Sequence, residues 1–173
     1  MRLPVRRVDR QYATTIERVN AATEAAIGIV EAQMRGKIGD VQVAVASSAS
    51  MWELVVDAHR PMFGRQDPGV WLDDRNAFGT STITQTGVLV VVNAQACRGR
   101  TVEIDKTLLH EFTHAVQFGR PGARDLIMRS LANNYGIRPM SERDARVANR
   151  RVESDERQAA RMERHHRQLA QSI

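Results

Sequence analysis

The sequence predicts a mixed α/β fold in a single domain spanning residues 1–173, and three observations carry that expectation. Residues 9–34 keep Ile16, Val19, Ala22, Ala26, Ile27, Val30 and Met34 on one face at helical spacing, and later stretches repeat the period. Short runs rich in β-branched residues, at 41–45, 80–84 and 88–93, fall between the helical ones. A length of 173 residues suits one core and is too short for a two-lobed layout.

Taken in order, Gly36 closes the first helix, and Val41, Val43 and Val45 alternate as a first strand. Ser50 with Glu53 three residues on reads as a capping box that opens a short helix to about His59, whose ring caps the C-terminal end. Pro61, Gly64, Pro68 and Gly69 make residues 60–76 a loop, with a brief strand at 70–72. Residues 80–84 and 88–93 form a hairpin across Gln85, Thr86 and Gly87. A helix ends near Phe118, stopped by Gly119 and Pro121, and another covers 123–135 and stops at Gly136. Pro139 precedes a last helix over 141–171, where Ser141 and Asp144 resemble a capping pair. Residues 1–10 read as a flexible arm.

Composition narrows the function classes. The net charge of +5 and pI near 10.3 invite a nucleic-acid partner. Yet Lys37 and Lys106 are the only lysines, and Arg143, Arg146, Arg150, Arg151, Arg157 and Arg161 are interspersed with acids, as on a solvated face. A one-sided patch is the footprint that decides between the two. Cys97 stands alone, which excludes a disulfide framework and makes a buried thiol the default. No stretch of 18 apolar residues occurs, and residues 1–12 hold no apolar signal segment. The expectation is a cytoplasmic protein without a membrane partner.

The chemistry concentrates in Leu108, Leu109, His110, Glu111, Phe112, Thr113 and His114. An H-e-x-x-H run puts His110 and His114 one helical turn apart on one face, where both rings can reach one zinc ion, with Glu111 beside them as general base and acid. Chance yields such a run in roughly one of a hundred sequences of this composition. Catalytic zinc takes three protein ligands and keeps a water, so a third donor must come from elsewhere. No further histidine follows at the short H-x-x-G-x-x-H spacing, which points to a carboxylate on the last helix. At about 100° per residue, Glu156 lies about 40° from Val152, Asp155 about 60° off on the other side and Glu153 about 100° away, so all three stay open.

His110, Glu111 and His114 followed by Glu156, Arg157, Gln158, Ala159 and Ala160 resemble the gluzincin pattern, H-E-x-x-H and then E-x-[EQ]-A-D, of HtpX-like and CAAX-processing peptidases and small ImmA/IrrE-like proteins. The resemblance implies a zincin-like, single-lobe metallopeptidase: a small twisted sheet packed on the N-terminal and metal-binding helices, with a C-terminal ligand helix. It implies Zn2+ held by His110, His114 and Glu156, with Asp155 as the alternative ligand, and a protein or peptide substrate. The pattern's last Asp is Ala160 here, so support for a ligating histidine falls to Asp155 or Glu163. Residues 88–93 occupy the place of the substrate-binding edge strand, although their continuous apolar run equally fits a central buried strand. Tyr135 is a candidate to stabilise the oxyanion, with His165 and His166 behind it. The competing expectation is a catalytically silent, zinc-stabilised binding or structural protein, nucleic-acid or phage associated.

Overall fold

A computed structural model describes residues 12–64 and 77–173. The chain runs α1 (Ala13–Met34), β1 (Val41–Ala46), α2 (Ser48–Phe63), β2 (Gly79–Ile83), β3 (Val88–Asn93), α3 (Ala94–Cys97), α4 (Thr101–Phe118), α5 (Ala123–Asn134), α6 (Glu142–Met162), a 3-10 turn (Glu163–His165) and α7 (His166–Gln171). The fold is mixed α/β. The expected arm at 1–10, the helix start at Asp9 and the brief strand at 70–72 lie outside the described residues. Among those described, no helix is long and apolar enough to cross a membrane.

The sheet has the order β1-β3-β2, with β1 parallel and β2 antiparallel to β3. Its two faces are both covered. Val43, Val45, Val90 and Val92 pack with Val19, Val30, Leu108 and Phe112 from α1 and α4. Ala44, Ala46, Leu89 and Val91 pack on the other face with Met51 and Trp52 of α2. Burial on both faces explains the continuous apolar run of β3, since neither face can be polar. It also decides between the two readings of residues 88–93, in favour of the central buried strand and against the open edge. β3 is central, and β1 and β2 are the two edges, β2 being the one that lines the cleft described below.

Two further boundaries differ from the expectation. Ser47, in extended backbone, is the N-cap of α2 and accepts from the Ser50 amide at 3.3 Å, so Ser50 is the receiving residue and no Ser50–Glu53 box forms. α2 also continues past His59 to Phe63, with Pro61 inside its last turn, where the ring removes one donor without breaking the turn. The last helix opens as expected, with Ser141 accepting from the Asp144 amide at 3.1 Å, but it divides at the 3-10 turn before α7.

α4 lies at the centre of the molecule, against α1, α6, β2 and β3. Asp105 on α4 is buried and receives a two-pronged contact from Arg18 of α1, with Nε–Oδ1 at 2.8 Å and a second nitrogen at 2.6 Å from Oδ2. This forked geometry fixes the rotation of α4 better than apolar packing alone. On the opposite side β2 passes close over α4 at Gly79. A Cβ there would stand 2.5 Å from Thr107 Cγ2, 2.9 Å from the Val91 carbonyl oxygen and 3.3 Å from Glu111 Cγ. Only glycine permits that approach, because one of the opposing atoms is backbone and cannot turn away. Gly79→Ala should therefore lower stability by about 1–3 kcal/mol in urea unfolding, the usual cost of overpacking; an unchanged midpoint contradicts the close approach.

Candidate metal centre

His110 and His114 stand on one face of α4, which Leu108, Leu109 and Phe112 hold in the core. Across from them α6 presents Glu156. Two ring nitrogens and the carboxylate converge: His110 Nε2 lies 3.2 Å from His114 Nε2 and 3.3 Å from Glu156 Oε2, and His114 Nε2 lies 3.2 Å from Glu156 Oε1. Among the described residues, these three form the one group of histidine, cysteine and acidic side chains that can hold a metal ion together.

The distances test the fit of a metal. For metal–nitrogen bonds of about 2.0–2.1 Å, the edge of a tetrahedron is about 3.3 Å, the bond length multiplied by about 1.63. The nitrogen–nitrogen edge matches that length, and each imidazole meets its own carboxylate oxygen at 3.2–3.3 Å, so one ligand atom from each of the three residues lies within 4.8 Å of the others. The outer ring nitrogens are engaged as well: His110 Nδ1 donates to Glu163 Oε1 at 2.9 Å, and His114 Nδ1 donates to Gln117 Oε1 at 2.7 Å. With the proton on each Nδ1, the lone pairs at Nε2 face each other and the carboxylate. A cation resolves that repulsion, and in the metal-free protein a proton on Nε2, shared with Glu156, does so instead.

Gln117 also ties the two helices together. Buried at 1% exposure, it donates from Nε2 to the Asp155 carbonyl at 3.0 Å and to Gln158 Oε1 at 3.1 Å. The side chain that orients His114 thus grips the turn of α6 that carries Glu156. Arg120 adds contacts to Gln158 Oε1 at 2.8 Å and Asp155 Oδ1 at 3.3 Å. Gln117 belongs to no motif in the sequence, although its place three residues after His114 puts both on one face.

Electrostatics couple the group. Burial alone pulls the His110 pKa down, but the Glu156 hydrogen bond, the Glu111 charge and the Glu163 contact raise it to about 9. His114 is raised for the same reasons, against burial, by Glu156 and Glu111. The hydrogen bonds from His110 and His114 hold Glu156 far below the usual carboxylate range. Glu111 is raised, because its burial outweighs the two imidazoles and Ser81, which lower it.

The group sits in a cleft of about 510 Å3. Gly79, Thr80, Ser81 and Thr82 of β2 form one wall, and Trp52, Phe118, Leu126, Ile127, Leu131 and Val152 supply apolar surface. Glu111 lies at its floor, buried at 7% exposure.

The remaining candidates fall elsewhere. Asp155 points its carboxylate at Arg151, at 2.8 Å, and Arg120, and is absent from the converging group. Tyr135 lies outside the cleft lining, with its hydroxyl 2.6 Å from His59 Nδ1. His59 itself, expected to cap the C-terminal end of its helix, is instead buried between that hydroxyl and Thr82 Oγ1, also at 2.6 Å, and burial pushes its pKa down to about 4. A neutral ring donates through one nitrogen and accepts through the other, so it links α2, α5 and β2. His165 and His166 bond Gln168 and the Glu163 carbonyl, away from the cleft.

No protein-family model, curated protein or solved structure matches the chain.

The pKa directions give a pH signature for the metal-free protein. His110, raised from 6.5 to about 9, contributes stability fully present below pH 6.5 and lost as pH rises through 9. Glu156, lowered from 4.5, contributes above that value and fails as pH falls through its depressed pKa. The melting temperature of chelator-treated protein should therefore fall between pH 6.5 and 9, and a flat profile contradicts the coupling.

Proposed function

We propose that the protein is a zincin-like metallopeptidase that hydrolyses peptide bonds with a zinc-bound water. The observation that carries the proposal is the convergence of two imidazoles and one carboxylate, with one ligand atom from each within 4.8 Å of the others, beside a buried carboxylate, Glu111, that lines an open cleft. His110, His114 and Glu156 would hold the ion. Zinc supplies a water of lowered pKa and polarises the scissile carbonyl. Glu111, whose burial raises its pKa, would be the group placed to accept a proton from the attacking water and to return it to the leaving amine. Ser81 stands beside Glu111 and tempers the rise. Glu163 and Gln117 hold the two imidazoles in the tautomer that turns Nε2 to the metal.

β2 would guide the substrate. As a sheet edge it has backbone groups on the side away from β3, and Gly79, Thr80, Ser81 and Thr82 line the cleft. An extended peptide added there gains main-chain hydrogen bonds, while its side chains meet the apolar wall. A purely structural zinc fits less well. Structural sites are closed by four protein ligands, whereas this group has three members among the described residues and Glu156 is half exposed.

Two predictions separate the roles. Glu111→Gln should abolish cleavage of a fluorogenic peptide library while zinc content and melting temperature persist; retained cleavage removes Glu111 from the reaction. Gln117→Leu and Glu163→Gln should each weaken zinc affinity by about 10- to 100-fold in competition with a chelating dye, and unchanged affinity shows that the histidines orient without them.

A further inference from the structure

α6 has a second face that the hydrolytic reading does not use. At 100° per residue, Arg143, Arg146, Arg150, Arg157 and Arg161 all project within about 60° of one another, and they run along about 27 Å of helix at 1.5 Å per residue. All five are exposed. Arg164, in the 3-10 turn that follows, is exposed as well and continues the row.

The acids of α6 are sorted away from this row. Asp155 is held by Arg120 and Arg151, and Glu156 by the two histidines. Asp144 lies about 100° from Arg143. Glu142 and Glu153 alone border the row, on one side, and Glu142 reaches Arg146 at 3.3 Å. Arg143, Arg150, Arg157 and Arg161 make no ion pair with any described residue. The interspersion of charges seen along the sequence therefore resolves in space into a one-sided cationic stripe. Of the residues that line the cleft, Val152 lies about 150° and Glu156 about 110° around the helix from the middle of the row, so the stripe faces away from the cleft mouth by more than a quarter turn.

We infer that this arginine row on α6 binds the phosphate backbone of duplex nucleic acid without reading its sequence. A straight helix repeats like charge at steps of about 4.5–10 Å, and a duplex offers a matching continuous anion, one charge per about 1.7 Å of axis. Arginine, rather than lysine, presents the planar fork that engages phosphate oxygens in pairs. Aromatic side chains are absent from α6, so stacking on single-stranded bases has no platform. A membrane surface is disfavoured too. A helix lying in lipid needs a broad apolar face turned outward, whereas Ala148, Ala159 and Met162 of α6 are buried in the protein.

The test is fluorescence anisotropy with a labelled 30-base-pair duplex DNA, comparing the intact chain with the Arg150→Gln, Arg157→Gln, Arg161→Gln triple variant. Glutamine is a good helix former and the three sites are exposed, so circular dichroism and thermal melting should match the parent. Five phosphate contacts predict that affinity falls about 500-fold between 50 and 200 mM salt, and the two left in the variant predict about 12-fold. No binding at 50 mM salt, or an unaltered salt dependence in the variant, overturns the inference. Displacement of the DNA by polyglutamate at equal charge does so as well and assigns the stripe to an acidic protein. Peptide cleavage does not enter the readout, so failure here leaves the hydrolytic proposal untouched, and loss of cleavage leaves this one intact.

Discussion

The convergence of two imidazole nitrogens and one carboxylate on a single point is the constraint on which the rest of the site depends. The two Nε2 atoms lie 3.2 Å apart and each lies 3.2–3.3 Å from an oxygen of Glu156, so these acceptors repel unless a proton or a cation lies between them. The fold holds them there from both sides. Arg18 and Asp105 set the rotation of α4 against α1, while Gln117 and Arg120 draw α6 against α4. Glu163, from the turn after α6, fixes the second ring. Without a metal, the same atoms share protons, which is why the histidine pKa values rise and that of Glu156 falls.

The parts of this arrangement set by local periodicity were legible in the sequence. His110 and His114 share a face because they are one turn apart, and the stripe of Leu108, Leu109 and Phe112 shows that their helix is buried. Glu156 was harder, since periodicity left Asp155 and Glu153 beside it and only the likeness to a known pattern preferred it. Space separates them: Asp155 is turned to two arginines, and Glu156 to two histidines. The edge strand was illegible because edge or centre depends on which strands pair. β1 joins β3 in parallel across the intervening chain, and that pairing makes β3 central and leaves β1 and β2 at the edges. His59 was misplaced for a similar reason, as its partners Thr82 and Tyr135 lie 23 and 76 residues away. At the start of α2, two serines three residues apart compete for one cap, and only backbone geometry chooses Ser47.

α6 illustrates how one helix divides its labour. Its inner face carries the metal-facing carboxylate and the small residues Ala148 and Ala159 that allow close packing, and its outer face carries arginine. A strand-lined cleft on one side and a charged row on the other require that helix to be rigid. Ser141 caps its start, and Gln117, Gln158 and Arg120 clamp its middle.

X-ray absorption spectroscopy of the zinc-loaded protein tests the central claim most directly. The account predicts a four-coordinate ion with two imidazoles at about 2.0–2.1 Å, a carboxylate oxygen and a solvent oxygen, with imidazole scattering reduced when His114 is replaced by Gln. A spectrum of oxygen neighbours alone, or zinc removed by simple dialysis, contradicts it.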